Sequence, residues 1–595
     1  MRFPTLRETA QYRDMTTIFG GYNHQISCQE GQFYDMKNMT SRYFPILSPR
    51  KSRGIVKTFA NPQGILDKED LWWVDDGILY KNGEAINLEG VYMSPKSTKS
   101  IAKMGAYIVI MPDKIWINTS DKKFECGYMD NTIRIEGVTM NICEASGKII
   151  EWHDKEYYEK NKPKDGNYML SVNANGKPSL KVYSESTGIW LTVASAYVQI
   201  NAEGIGEGFS KEDGVKISTK NTPSSLTDIF VNKEEGEGNY STNTYLIDVS
   251  ENSITIPGIF KGDTTEFPTL ELTIERKVPE MSYITECNNR IWGCSEDGHE
   301  IYCCKLGDVK NWNLFRGNST DAWAATIGSD GKFTGAITYL GYPIFFKEDS
   351  LIKIAVSATG GHQTKETRCR GVQNGSHASL VVLNETLYYK SASCVCGYNG
   401  SLPYNISDVM GDVNYYSAVG GALGDKYYIS MRDSNQKWSM FVYDTKNNIW
   451  CKEDDTKAYT FCKHENDLYF IDADSKEMKS VNGTLLYDVP EKTTENKVNW
   501  FVESGTIGYS SPDNKYVGRI TMRITLEFGT NVDFFLQYDS CGEWEHKLNM
   551  SGTGTRTYSI PIIPRRCDHF KYKIVGSGGC KIHSITKTIE EGSEG

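Results

Sequence analysis

The feature that most constrains this chain is a recurring hairpin. Apolar or aromatic runs begin at Leu71, Tyr107, Ile291, Tyr342, Leu387, Tyr427 and Leu468, and each leads through a polar turn into a second extended run. The turns are rich in Asp, Gly and Asn: Asp75-Asp76-Gly77, Pro112-Asp113, Glu296-Asp297-Gly298, Lys347-Glu348-Asp349 and Asp433-Ser434-Asn435. Such residues tolerate the backbone angles that a tight reversal needs, so each unit reads as a β-hairpin. The first two runs are 36 residues apart, and those after Ile291 follow at 51, 45, 40 and 41. A period of roughly 40 to 50 residues with two or more strands per unit is the signature of a β-propeller blade. The stretch "YDTKNNIW", Tyr443 to Trp450, fits the outer hairpin of one blade.

The expected fold class is therefore all-β: a degenerate β-propeller of six or seven blades, with no WD or kelch fingerprint. Composition agrees, because 36 Tyr, 12 Trp and 54 Gly suit pleated surfaces and turns. Helical periodicity is almost absent; "DKEYYEKNKPKDG" is short, polar and broken. The step from Tyr107 to Ile291 is 184 residues. Removing about one blade period leaves roughly 135 to 140 residues, enough for a domain. A small inserted β-domain is expected at 138–278, with the propeller at 55–137 and 279–490. Beyond the polar "DVPEKTTENK", clean alternation in "GRITMRITLEF", "VDFFLQYDSCGEWEHKL" and "HFKYKIVG" predicts a C-terminal β-sandwich at 491–595. Residues 1–54 are left as an extended N-terminal arm.

Chemical motifs are sparse. The net charge of −11 opposes whole-surface nucleic-acid binding. The 15 cysteines include only two close groupings, Cys303-Cys304 and Cys394-Val395-Cys396, and no C-x-x-C. That spacing does not suit zinc and points to small buried thiols made in a reducing cytoplasm. The nine histidines form no metal-binding pair, and no cofactor or metal is expected. Carboxylate pairs (Asp75-Asp76, Asp454-Asp455, Asp472 with Asp474) leave a polysaccharide depolymerase open, although turns require the same residues. Glu207, Glu212 and Asp213 offer a weak calcium candidate whose spacing is not that of an EF-hand. No apolar run approaches the roughly 20 residues that span a bilayer, so no membrane partner is expected.

The segment "FGGYNHQISCQEGQFYDMKNMTSRYFPILSPRKSRG", Phe19 to Gly54, is dense in aromatics and ends in a basic cluster. Together with "QYDSCGEWEHKL" and "PIIPRRCDHFKYKIVG" near the other end, it resembles tail and DNA-stabilisation proteins of bacteriophages and prophages. The resemblance implies a virion structural protein without enzyme activity, placed at the head-to-tail junction or tail and made in the host bacterial cytoplasm. Its implied partners are portal, adaptor or tail proteins and copies of itself in a ring, with DNA passing and no specific binding. Tyr22, Phe33, Tyr34, Tyr43 and Phe44 are the expected anchors of the arm, and Arg50, Lys51 and Arg53 its candidate contacts with acidic partner surfaces. The segment can alternatively close the propeller as a strand of its last blade. Rival readings are a tail-tip receptor-binding protein, with Trp190 or Tyr197 stacking on host glycan, and the depolymerase.

Overall fold

The computed structural model describes residues 11–120, 123–262, 264–356, 361–483, 493–495, 497–508 and 514–591. Residues 1–10 of the arm, most of "DVPEKTTENK" and the acidic end of the chain lie outside these. The described residues are nearly all β. Seven antiparallel blades are present among them: six of four strands, at 62–86, 100–128, 283–326, 335–368, 381–405 and 415–452, and a seventh of five, at 458–480 followed by Gly54–Thr58 and the edge strand Thr493–Thr494. The seven runs read from sequence fall on the second strand of each blade. Those strands are buried on both faces, as in Asp70–Asp75 and Tyr107–Met111, and so read as continuous apolar runs.

The blades form a closed ring. The innermost strand Pro62–Lys68 packs on Ser100–Met104, which packs on Tyr283–Glu286, and that on Gly335–Tyr339. The turn His377–Ser379 bridges Gly335–Tyr339 and Tyr415–Leu423. Ala458–His464 then lies between Tyr415–Leu423 and Pro62–Lys68 and completes the circle. The last blade takes three strands from 458–480, and its fourth is Gly54–Thr58, antiparallel to Glu477–Ser480. One end of the propeller is thereby latched to the other by hydrogen bonds rather than by a covalent turn.

The inserted unit lies between the second and third blades. Its axis is a long pair, Asn131–Cys143 with Glu266–Arg276, in register from Asn131↔Arg276 onward. Pairing thus starts seven residues before the expected boundary at 138, because "NTIRIEG" alternates and can extend the ladder beyond the blade. Eight strands share this sheet, and a smaller four-stranded sheet covers 152–192. Met140, Val198, Ile200, Ile217, Ile254 and Ile274 fill a core separate from those of the blades. Gly214 marks where the insertion meets the third blade. A Cβ there would sit 2.3 Å from the backbone carbon of Asn313, so only glycine admits this approach.

Two facing sheets form the sandwich. One runs Gln11–Thr16, Cys580–Glu591, Lys515–Leu526, Gly554–Ile560. The other runs Gly21–Tyr22, Gln32–Lys37, Asn499–Ser504, Phe570–Ser577, Asn531–Tyr538, Glu545–Ser551. The described part of the N-terminal segment is therefore woven into its own chain, as strands of both sheets and of the seventh blade. Its strands are two to six residues long, too short for alternation to declare them in the sequence. Tyr22, Phe33 and Met36 share a continuous core with Phe441 and Trp450 of the sixth blade, so sandwich and propeller are packed as one body. Gly21 permits this contact. Its φ is +77°, and a Cβ would meet the Trp450 carbonyl oxygen at 2.3 Å.

Candidate functional site

The residues expected as anchors and contacts divide into two groups. Phe33 is fully buried and stacks on Phe19, with ring centroids 6.1 Å apart. Tyr22 stacks on His24 and leans on Phe441 at 5.4 Å; burial pushes its phenol well above the ordinary range. Tyr34 is half-buried with its ring 4.2 Å from His24, and Phe44 is also half-buried. These side chains hold the segment to its own sandwich and sixth blade. Arg53 is 2% exposed, and its guanidinium lies 2.7 Å from Glu453 and 2.5 Å from Asp454. Arg50 reaches Glu495 at 2.6 Å and Asp454 at 3.5 Å. Both arginines are consumed by an internal ion-pair cluster. Tyr43 and Lys51 remain exposed to solvent.

Tyr43, Arg50 and Lys51 line one groove of about 450 Å³ between the N-terminal segment and two sandwich loops, 527–529 and 578–581. Arg42, Lys497 and Lys581 add positive charge to its walls, against one carboxylate, Glu527. Lys581 Nζ sits 4.0 Å above the Tyr43 ring and the Arg42 guanidinium 5.5 Å from it, so the ring orients both cations. Lys497 donates to the Gly529 carbonyl at 3.0 Å, which fixes its stem beside the rim. Phe528 projects from that rim and is 94% exposed. Ser48 also lines the groove, and its buried hydroxyl has no hydrogen-bond partner among the described residues. In a chain of net charge −11 this is a local basic surface with an aromatic edge, suited to carboxylate-bearing protein segments. Sequence reasoning found Tyr43 and the 50–53 cluster. It missed Arg42, Lys497, Phe528 and Lys581, which converge only through pairing of distant strands.

The other candidates resolve into local structure. Asp75 accepts the Ala60 and Asn61 amides, Asp455 pairs with Lys37, and Asp472 accepts the Asp474 amide and the Lys479 ammonium. Glu212 bonds Arg316 at 3.0 Å and also Lys305, while Asp213 bonds Arg276 at 2.5 Å. Glu212 ties the insertion to the third blade and the Asp213–Arg276 pair lies within the insertion, with Lys and Arg where a cation would otherwise sit. No group of three metal-ligating side chains occurs among the described residues. Trp190 belongs to an aromatic cluster on the small sheet, 4.9 Å from Tyr158 and 5.2 Å from Tyr183, with His153 and Tyr157 stacked at 3.8 Å alongside. Tyr197 lies on the other sheet of the insertion, paired with Pro257. The innermost propeller strands carry charges of both signs, Asp67 and Glu286 with Lys68, Lys103 and Lys463. Among the described residues no helix is long and apolar enough to cross a membrane.

No protein-family model matches the chain, and no curated protein matches it by sequence. Among solved structures it is similar to an exo-β-1,3-galactanase from Phanerochaete chrysosporium with galactose, at 7% identity and a TM-score of 0.21, covering 50% of this chain and 92% of that one. It is also similar to the dihydro-heme d1 dehydrogenase NirN, at 9% identity and TM-score 0.24 over 67% of this chain and 76% of that one. A third is apo AztD from Citrobacter koseri, at 9% and 0.22 over 68% and 96%. Likeness at these scores carries no argument about what the chain does.

Proposed function

We propose that this chain is a structural protein of a bacteriophage particle, without catalytic activity. It assembles in a ring with copies of itself at the head-to-tail junction or tail, where it binds acidic faces of portal, adaptor or tail proteins. The observation that carries the reading joins the two ends of the chain. The segments that resemble phage stabilisation proteins, Phe19–Gly54 and Pro561–Gly576, meet in one sheet: Gln32–Lys37 pairs with Asn499–Ser504, which pairs with Phe570–Ser577. The basic groove opens beside that sheet. Rings arise from heterologous contacts that close, and an internally latched propeller is a rigid subunit for them.

The reading is tested with particles produced by a host carrying the gene. The wild-type chain should co-sediment with particles after stringent washing, and Lys51→Glu with Lys581→Glu should weaken that association in a salt-dependent way. Absence of the chain from purified particles would refute the reading.

A second reading, recognition of host surface glycan at the tail tip, is favoured by the Trp190 cluster, because its tilted, part-exposed aromatic rings on the small sheet offer faces for sugar stacking. It predicts that the chain labels host cells and that Trp190→Ala abolishes the labelling. The connector reading predicts no labelling.

A further inference from the structure

The two close cysteine groupings have opposite fates. Cys303 and Cys304 are neighbours whose side chains leave opposite faces of the backbone. The Cys304 sulfur accepts the Ile291 amide at 3.1 Å, and burial raises both thiols, Cys303 to about 11. Cys394 and Cys396, two residues apart on the fifth blade, point to one side, with their sulfurs 3.5 Å apart. They lie at the end of the hairpin formed by Thr386–Lys390 and Val395–Tyr398, whose turn exposes Ala392 and Ser393. Cys394 is 8% exposed and Cys396 fully buried, so one sulfur is near the surface and the other behind it.

Donors surround Cys394. The Arg370 guanidinium lies 3.8 Å from its sulfur, and the Ser393 hydroxyl 3.7 Å. The Ser391 hydroxyl is 3.4 Å from the sulfur but 2.8 Å from the Cys394 carbonyl, and its single proton serves the nearer acceptor. Lys390, 3% exposed, holds its ammonium on the Ser391 and Ala392 carbonyls and adds positive charge to the turn. The Cys396 thiol donating to Cys394, then the Ser393 hydroxyl and Arg370, lower the Cys394 thiol below its ordinary value against the cost of burial. Cys396 is raised, first because it is that donor. The nearer sulfur is thus the one held among donors, with the second sulfur 3.5 Å behind it.

We propose that Cys394 and Cys396 form a dithiol modification site, oxidised by peroxides to an intramolecular disulfide. The Cys394 thiolate attacks one peroxide oxygen; an S–O bond forms, the O–O bond breaks, and hydroxide leaves, so sulfur loses two electrons and peroxide gains them. The Cys396 sulfur then attacks the sulfenic sulfur. The S–S bond forms, the S–O bond breaks, and the departing hydroxide takes the Cys396 proton as water. An external dithiol reverses the bond by thiol–disulfide exchange.

The full-length protein is treated with graded hydrogen peroxide, alkylated without reductant, digested and mapped by mass spectrometry, with the exposed Cys541 as internal reference. The peptide carrying both cysteines should lose two hydrogens at about tenfold lower peroxide than oxidises Cys541, and dithiothreitol should restore it. In Cys396→Ser the sulfenic acid should persist and be captured on Cys394 by dimedone. Oxidation of Cys394 no faster than Cys541, or dimedone capture in the wild type without loss of two hydrogens, would overturn the proposal.

Discussion

Arg53 Nη2 and Glu453 Oε2 meet at 2.7 Å although 400 residues separate them, and each side chain is only 3% exposed. Arg53 immediately precedes the strand that completes the seventh blade, and Glu453 sits where the sixth blade passes to the seventh. Asp454, Arg50 and Glu495 extend the pair into a cluster. The propeller latch is therefore both a β-ladder and a buried electrostatic clasp.

Arg53→Met should destabilise the protein by about 3–5 kcal/mol, because it leaves Glu453 buried and uncompensated. Arg53→Met with Glu453→Met should recover part of that loss. Urea unfolding followed by tryptophan fluorescence measures both, and a double variant no more stable than Arg53→Met alone would contradict the account.

The clasp should fail on acidification. Burial alone would raise the Asp454 carboxyl, but Arg53 and then Arg50 outweigh it and hold the group below its ordinary value. Glu495 behaves alike, with burial opposed by Arg50. A carboxyl lowered in the folded state contributes stability that is full above the unfolded value of about 4 and is lost as pH falls through the folded one. Hydrogen exchange of Gly54–Thr58, corrected for intrinsic rates, should show steady protection from neutral pH to the ordinary carboxylate range and a decline below it. Arg53→Met should show a smaller step, because Arg50 still faces Asp454 and Glu495.

Gly21→Ala should cost more than Gly83→Ala. Both residues have positive φ, at +77° and +93°, but only at Gly21 would the added carbon strike backbone, whereas Gly83 faces open space. Strain alone is on the order of 1 kcal/mol, so thermal unfolding should separate the two variants clearly. Equal costs would mean that the sixth-blade contact is loose.

Gly214→Ala should part the insertion from the third blade while leaving both folded. Exchange should rise across 305–316, where Lys305, Asn311 and Arg316 hold Glu212 and Gly214. The inserted core, at Ile217 and Ile274 for example, should stay protected.

How much of this was legible depended on burial. The second strand of every blade is apolar on both faces, so the seven runs declared themselves and gave the ring. Innermost strands such as Tyr283–Glu286 are only half-buried, and edge strands such as Tyr404–Asn405 are exposed; neither has a clear pattern. Gly54–Thr58 reads as an ordinary short strand, and its role as a latch exists only through Glu477–Ser480. The groove was half-visible for the same reason. Tyr43, Arg50 and Lys51 are neighbours in sequence, whereas Lys497 and Lys581 become neighbours only after the sandwich pairs.

The central claim, a latched propeller serving as a ring subunit of a phage particle, is tested most directly by cryo-electron microscopy of purified particles. The account predicts density for the seven-bladed propeller in a closed ring at the head-to-tail junction or tail, with the Tyr43–Lys51–Lys581 groove facing an acidic surface of a neighbouring protein. Particles with no such density would contradict it.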